Sequence, residues 1–185
     1  GIGLAGLMVA MRLDFRHLRY LAIPFFVITL GLLVAVLFIG PEINGSRRWI
    51  PIPGVGSVQP AEFAKLAVVL YLAHWLDRRG KEARSFWNGL VPFGLLVAPG
   101  FVLIALEPDL GTAGVYAIVA LSVFFMAGAN LLYLTAIGAS ALAAAWLMIS
   151  ATAYQMERVQ TFLDPFRDPL GSGYNTVQAL LALGL

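Results

Sequence analysis

The chain has 185 residues, of which 60% are hydrophobic and 12% are charged, and its formal net charge is +2 at pH 7. A mean hydropathy of +0.85 excludes a soluble domain, whose surface needs more charge, and predicts a polytopic membrane protein. The absence of cysteine excludes disulfides and thiol chemistry. His17 and His74 lie in different segments, which argues against a histidine metal site.

Apolar runs long enough to cross a bilayer as helices follow one another along the chain. We predict complete spans at residues 20–40, 61–76, 91–106, 110–129 and 134–153, and partial spans at 2–11 and from 176 onward. The predicted fold is therefore all-α, a polytopic membrane helical bundle of about five complete and two partial spans in one domain over residues 1–185. Because both ends fall within apolar runs, we expect a piece of a longer protein.

Basic residues mark one side of the membrane. Loops 12–19 and 77–90 hold seven of the twelve Lys and Arg residues, and the positive-inside rule places such loops in the cytoplasm. Loops 41–60, 107–109 and 154–175 are then extracytoplasmic. This distribution is a topology signal, so the sequence pI near 9.2 does not indicate nucleic-acid binding.

Two of the outer loops are expected to be ordered. Loop 41–60 contains four Pro and three Gly, which favour a fixed structure over a flexible tether. In loop 154–175, an amphipathic helix lying on the outer leaflet is predicted by the helical spacing of Met156, Val159, Phe162 and Leu163. The charged cluster that follows is interpreted as a solvated turn, and it comprises Asp164, Arg167 and Asp168.

The stretch QPAEFAKL, residues 59–66, places a carboxylate and an ammonium at the start of an apolar run. Glu62 and Lys65 lie three residues apart, so they share one face of a helix and can pair. They are either interfacial, with Lys65 extending outward and Glu62 favouring the helix N-terminus, or part of a polar site. An ammonium at this depth suits an anionic lipid headgroup, above all a pyrophosphate.

The stretch EPDLGTAG, residues 107–114, carries two acids between two spans with almost no loop. Asp109 is a good N-cap for a helix that starts at Leu110. Glu107 has no such role, and is a candidate partner for Lys65 or for a bound cation. Their separation in space is unknown, so the two acids alone are a weak signal of glycosyl transfer.

The stretch NGSRRWI, residues 44–50, places two arginines on the outer side, against the charge bias. Arg47 and Arg48 either pair with Glu42 or lipid phosphates, or recognise the phosphate or sugar of a substrate. Trp49 is an interfacial anchor or a stacking platform. These features fit an enzyme acting on a lipid-linked anionic substrate, a translocase for such a lipid, or a non-catalytic membrane scaffold.

Four stretches together resemble the SEDS family of bacterial wall-synthesis proteins, in the order and at the spacing of that family: NGSRRWI, QPAEFAKL, EPDLGTAG and ERVQTFLDPFRDPLGSGYNTVQALLALG. The residues of the first and last stretches are more similar to the FtsW division branch than to the RodA elongation branch. The resemblance implies a peptidoglycan glycosyltransferase of the bacterial plasma membrane that polymerises lipid II, the undecaprenyl-pyrophosphate-linked disaccharide peptide. It also implies a class B penicillin-binding protein and other divisome proteins as partners. A lipid II flippase is an older interpretation of the family.

The resemblance also implies roles for individual residues. Lys65 matches the lysine that the family requires, Glu62 its accompanying acid and Trp49 its loop tryptophan. The expected substrate-binding set is completed by Arg48, Gln59, Glu107 and Asp109. No cofactor is implied with certainty, and a divalent cation with unspecified ligands stays open.

The carboxylate proposed as the family's catalytic base belongs to a motif expected beyond Leu185. We therefore expect no catalytic base in this chain and no activity from the piece by itself. Ser57 stands where some relatives carry a basic residue, so no phosphate contact is expected there.

Overall fold

The computed structural model describes residues 3–4, 8, 11–12, 14–42, 46–52, 54, 56–151, 160–161, 163–164, 166, 168–169, 171 and 173–184. The chain divides into two compact units, Gly1–Leu134 and Thr135–Leu185. In chain order its α-helices and strands are α1 (Phe15–Ile39), β1 (Ile50–Ile52), β2 (Gly56–Val58), α2 (Pro60–Arg79), α3 (Val91–Leu106), α4 (Leu110–Met126), α5 (Leu131–Ala151) and α6 (Tyr174–Ala182). A 3-10 helix (Gly80–Arg84) and a π-helix (Phe86–Leu90) connect α2 to α3.

Helix α1 begins five residues before the predicted span. The Asp14 side chain caps the helix by accepting a hydrogen bond of 2.9 Å from the Arg16 backbone N–H. Arg16 and Arg19 therefore lie on the first turns of a helix, where the sequence analysis placed a loop. Hydropathy alone set the predicted start at Tyr20, where the uninterrupted apolar run begins, and it missed the capping signal of Asp14.

Helix α2 is also longer than predicted, because Pro60 at its start and the charged residues Asp77, Arg78 and Arg79 at its end belong to it. Pro60 occupies its first turn, where its fixed φ suits a helix and no backbone donor is lost. Gly80, with a φ of +52°, follows its last residue. Its buried face begins with small side chains that allow neighbouring helices to approach closely, and continues with larger ones: Ala61, Ala64, Ala67, Val68, Leu72 and Leu76.

Helices α3 and α4 form a hairpin across a short corner. Helix α3 has the predicted bounds, because the residue before Pro108 is disfavoured in a helix. Helix α4 ends three residues earlier than predicted, where Gly128 adopts a φ of +84°. In α3, a Cβ at position 100 would collide with the Tyr116 hydroxyl, so glycine there lets the tyrosine pack closely.

The core of the first unit lies between α1, α2, α3 and α4. Phe26 of α1 stacks on Tyr71 of α2 with ring centroids 4.6 Å apart, and Phe93 stacks on Phe124 at 4.2 Å. Two described helical stretches are long and apolar enough to cross a membrane, Arg16–Ile39 and Phe86–Leu106, and Leu110–Met126 is a shorter apolar helix. The structure confirms a mainly helical fold, and the number of spans stays a prediction.

The all-α prediction omitted a two-stranded ribbon in loop 41–60. Strands β1 and β2 pair antiparallel, with Ile50 opposite Val58 and Ile52 opposite Gly56. Gly54, between them, has a φ of +78°, which favours glycine. Three-residue strands are too short to show an alternating pattern, so sequence indicated order in this loop but not its form.

Helix α5 begins at Leu131, three residues before the predicted span, and α6 covers residues 174–182. The predicted amphipathic helix and Arg167 fall largely outside the described residues. Asp168 forms a turn, since its side chain accepts a hydrogen bond of 3.1 Å from the Gly171 backbone N–H. For Asp168, this agrees with the interpretation of the charged cluster as a turn.

Candidate functional site at the outer end of helix α2

Two polar groups lie at the end of the first unit that was predicted to face outward. The first, here named the Arg48 clasp, consists of the side chains of Arg48, Gln59, Asp109 and Thr112 with the backbone carbonyls of residues 107 and 108. The second is the Glu62–Lys65 pair on the first turns of α2. The side chains of the clasp are largely enclosed by the chain, whereas those of the pair are more open to the surroundings.

Arg48 joins loop 41–60 to the corner between α3 and α4. Its Nε donates a hydrogen bond of 2.8 Å to the Glu107 carbonyl, and one terminal nitrogen donates to the Pro108 carbonyl. The other terminal nitrogen lies 3.8 Å from Asp109 Oδ2. The three acceptors lie on three different nitrogens of the planar guanidinium, a spread that the single nitrogen of a compact ammonium does not match.

Asp109 is the acceptor at the centre of the clasp. Its Oδ1 accepts a hydrogen bond of 3.1 Å from the Thr112 backbone N–H, which confirms the predicted N-cap. Its Oδ2 accepts from the Thr112 hydroxyl at 2.9 Å and from Gln59 Nε2 at 3.2 Å. The residue before α2 is thereby tied to the start of α4. Thr112 was not predicted as a site residue, although a threonine three residues after an N-cap aspartate indicates this contact.

Glu107 is fully buried, and neither of its carboxylate oxygens has a hydrogen-bond partner. The hypothesis that it pairs with Lys65 is wrong, because Glu107 continues the buried face of α3 formed by Val97, Gly100 and Ile104. Glu107 follows the apolar stretch that ends at Leu106. Burial, followed by repulsion from Asp109, raises the pKa of its carboxyl from 4.5 to about 7, while Arg48 acts to lower it.

The Glu62–Lys65 pair is close but open to its surroundings. Lys65 Nζ donates to Glu62 Oε1 at 2.8 Å, which confirms the predicted pairing. The Lys65 side chain is 25% exposed and that of Glu62 is 57% exposed. One of the three ammonium donors is used by Glu62, so the group can still bind a ligand that approaches from outside.

The remaining outer residues flank these groups. Trp49, which directly precedes β1, is 37% exposed. Arg47 lies 3.6 Å from Glu42, which agrees with the simpler of its two interpretations. A Cβ at Gly40 would crowd the Trp49 carbonyl at 3.3 Å, so the end of α1 and the start of the ribbon are in close contact. Within the described ranges, no three or more His, Cys, Asp or Glu residues are arranged to hold a metal ion.

Comparison with known proteins identifies the family. A protein-family model described as "Cell cycle protein", for FtsW, RodA and SpoVE, matches residues 1–185. A probable peptidoglycan glycosyltransferase FtsW of Aliivibrio salmonicida is 37% identical over 177 residues, which cover 95% of this chain and 44% of that protein. The chain spans about half the length of the curated relatives it matches.

Solved structures agree with this match. A chain of a peptidoglycan synthase complex, studied for its coordination of polymerization and crosslinking, is 37% identical with a TM-score of 0.69, covering 97% of this chain and 53% of that one. The rod shape determining protein RodA of Thermus thermophilus is 38% identical with a TM-score of 0.64, covering 77% of this chain and 46% of that one. The family match over residues 1–185 and these likenesses together show that the chain belongs to the SEDS family of membrane proteins, with FtsW, RodA and SpoVE.

Proposed function

We propose that this chain is part of a peptidoglycan glycosyltransferase that polymerises lipid II on the outer face of the bacterial plasma membrane. The name of the Aliivibrio salmonicida relative and the synthase complex of the solved relative support this activity. The proposed protein is multi-pass, with loops 41–60, 107–109 and 154–175 outside. This orientation rests on the basic residues near the start of α1 and the end of α2.

The observation that carries the proposal is the open Glu62–Lys65 pair. In glycosyl transfer from lipid II, the sugar leaves a pyrophosphate, on which negative charge develops. An ammonium fixed beside that group stabilises the charge as it forms. Glu62 holds Lys65 Nζ at 2.8 Å, so the ammonium is oriented before a substrate arrives, while its remaining donors can reach phosphate oxygens.

The Arg48 clasp has a positioning role in this proposal. It fixes the loop that carries Trp49 and the residue that precedes α2, so that the rim around the pair is rigid before substrate binds. Arg48, Gln59 and Asp109 then contribute to substrate binding through the shape of the rim. Trp49 remains available as a stacking platform or as an interfacial anchor.

Within the family, we propose the FtsW-type role in division and, as partner, a class B penicillin-binding protein that crosslinks the new strands. The NGSRRWI stretch and the FtsW names of several relatives favour this branch. The chain is 38% identical to a RodA structure and 37% identical to the Aliivibrio salmonicida FtsW. The assignment therefore depends on the residues within the motifs and not on overall identity.

The test uses the full-length protein purified with its penicillin-binding partner and supplied with labelled lipid II. Wild type should produce glycan ladders on a gel, and Lys65→Ala should reduce them about a hundredfold, the scale on which loss of one transition-state donor acts. Arg47→Ala is the matched control, since it removes an exposed outer cation that is paired with Glu42. It should leave the ladders unchanged.

Two results would contradict the proposal. If wild type gives no ladder beside a working control enzyme, lipid translocation or scaffolding becomes the better account. If Lys65→Ala and Arg47→Ala both retain wild-type ladders, the activity stands but the pair is not part of the site.

A further inference from the structure

A groove with a volume of about 760 Å³ lies at the other end of the α1–α2 pair, between the start of α1 and the last turns of α2. It is here named the inner groove, and its polar lining includes Arg16, Arg19, His17, His74, Asp14 and Asp77. The two histidines, far apart in sequence, thus face one cavity. No role in the proposed glycosyl transfer uses these residues.

The inner groove carries charges of both signs that do not neutralise each other directly. Asp14 accepts from the Arg16 backbone N–H, and not from its guanidinium. Among the described residues, the ion pairs within 4.0 Å do not include Arg16, Arg19 or Asp77. Two guanidinium groups and two carboxylates in one cavity match a ligand that itself carries a positive and a negative charge.

The surroundings of the groove place it at a membrane surface. Tyr20 lines it and is 74% exposed, and the Arg79 guanidinium lies 4.9 Å from the centre of the Trp75 ring on the last turns of α2. Aromatic and basic residues of this kind gather at the headgroup level of a bilayer. Leu70 and Ala73 also line the groove, one to two turns before Asp77, toward the apolar middle of α2. The groove is therefore polar at one end and apolar at the other.

We propose that the inner groove binds a zwitterionic aminophospholipid of the phosphatidylethanolamine class from the cytoplasmic leaflet. The lipid phosphate lies against Arg16 and Arg19, and the primary ammonium donates to Asp77. Because the two arginines and two aspartates of the groove balance in formal charge, an anionic lipid should bind less tightly than a zwitterionic one. A choline headgroup has no N–H to donate to the carboxylate. The leaflet follows from the orientation proposed above.

Native mass spectrometry of the full chain in detergent tests this directly. Dioleoyl phosphatidylethanolamine, phosphatidylglycerol and phosphatidylcholine are added separately at equal concentrations. The ethanolamine lipid should bind most tightly. Asp77→Asn and Arg16→Gln should each weaken it about tenfold, the scale of one charge-assisted hydrogen bond. Glu82→Gln and Arg78→Gln are matched controls, since both residues are exposed, lie beyond the groove lining and are close in sequence to Asp77. Neither should change binding.

Several outcomes would overturn the inference. Equal or tighter binding of phosphatidylglycerol would show attraction by positive charge alone, and equal binding of phosphatidylcholine would show that the ammonium is not recognised. Equal effects of the groove and control variants would place the lipid elsewhere. Soluble glycerophosphoethanolamine is a further arm, and if it bound as tightly as the lipid, the ligand would be a free metabolite. Asp77 and Arg16 are both exposed, so two independent variants remain interpretable if one misfolds.

Discussion

The Arg48 clasp and the Glu62–Lys65 pair lie at the same end of the molecule and use similar charged residues, but they differ in what surrounds them. The Asp109 side chain is 14% exposed and accepts from Thr112 and Gln59, while Arg48 donates to two backbone carbonyls. The Glu62 side chain is 57% exposed and meets Lys65 alone among the contacts described. The polar groups of the clasp therefore bond to one another, whereas the Lys65 ammonium keeps donors available for a ligand.

Because of this difference, we expect changes in the clasp and changes in the pair to affect different properties of the protein. Charged groups that are partly buried and hydrogen-bonded contribute to folding, and removing one partner leaves the others unsatisfied. An exposed ion pair three residues apart on a helix contributes little to folding. A cost in stability is therefore expected from changes in the clasp, and a cost in activity without loss of stability from changes in the pair.

The largest effect on stability is expected at Glu107, whose carboxyl is the one group of the corner left without a partner. Its pKa is raised from 4.5 to about 7, so between these values the folded state binds more protons than the unfolded state. The stabilisation of the folded state by the protonated Glu107 carboxyl is complete below pH 4.5 and is lost as the pH rises through about 7. The difference corresponds to about 3 kcal/mol.

Measuring the free energy of unfolding in mixed micelles from pH 5 to pH 8 tests this expectation. Wild type should lose stability over the range, and Glu107→Gln should remove most of the decline because it cannot ionise. A decline of equal size in the variant would assign the pH dependence to another group.

Arg48→Ala should lower the free energy of unfolding by about 2 kcal/mol, because two carbonyls and Asp109 lose a charged donor. Arg48→Lys should recover little of this loss, since an ammonium cannot reach all three acceptors. Arg47→Ala is the control, and its exposed ion pair should contribute less than about 0.5 kcal/mol. Equal melting curves for the Arg48 and Arg47 variants would show that the clasp does not stabilise the fold.

Asp109→Ala should cost about 1 kcal/mol, the usual contribution of an N-cap, with a further loss from the Gln59 contact. Asp109→Asn should retain most of the cap, because asparagine is nearly as good at this position. Thermal unfolding of the two variants side by side measures the difference. Equal losses with asparagine and with alanine would mean that the charge of Asp109, and not its capping oxygen, is what matters.

The smallest effect on stability is expected at the pair. Glu62→Gln and Lys65→Met should each change the free energy of unfolding by less than about 0.5 kcal/mol. The same unfolding assay checks both variants beside Arg48→Ala. A loss from either as large as the loss from Arg48→Ala would remove the distinction between the two groups.

Sequence patterns were sufficient for the elements whose signals are local. The bounds of α3 follow from an apolar run and a proline, and the Asp109 cap and the Glu62–Lys65 contact follow from spacing within a helix. Arg48 donates to backbone atoms 59 and 60 residues away, and no local pattern encodes such a contact. The burial of Glu107 and the shared groove of His17 and His74 likewise depend on how helices pack.

The most direct test of the account compares Lys65→Arg with Arg48→Lys in the full-length protein, with glycan synthesis and unfolding measured on the same preparations. The account predicts that Lys65→Arg loses glycan ladders while its unfolding free energy stays within about 0.5 kcal/mol of wild type, because a larger, planar guanidinium does not take the position in which Glu62 holds the compact ammonium. Arg48→Lys should instead lose stability first. Wild-type ladders from Lys65→Arg would contradict the central claim, since a residue that only anchors the helix tolerates either cation.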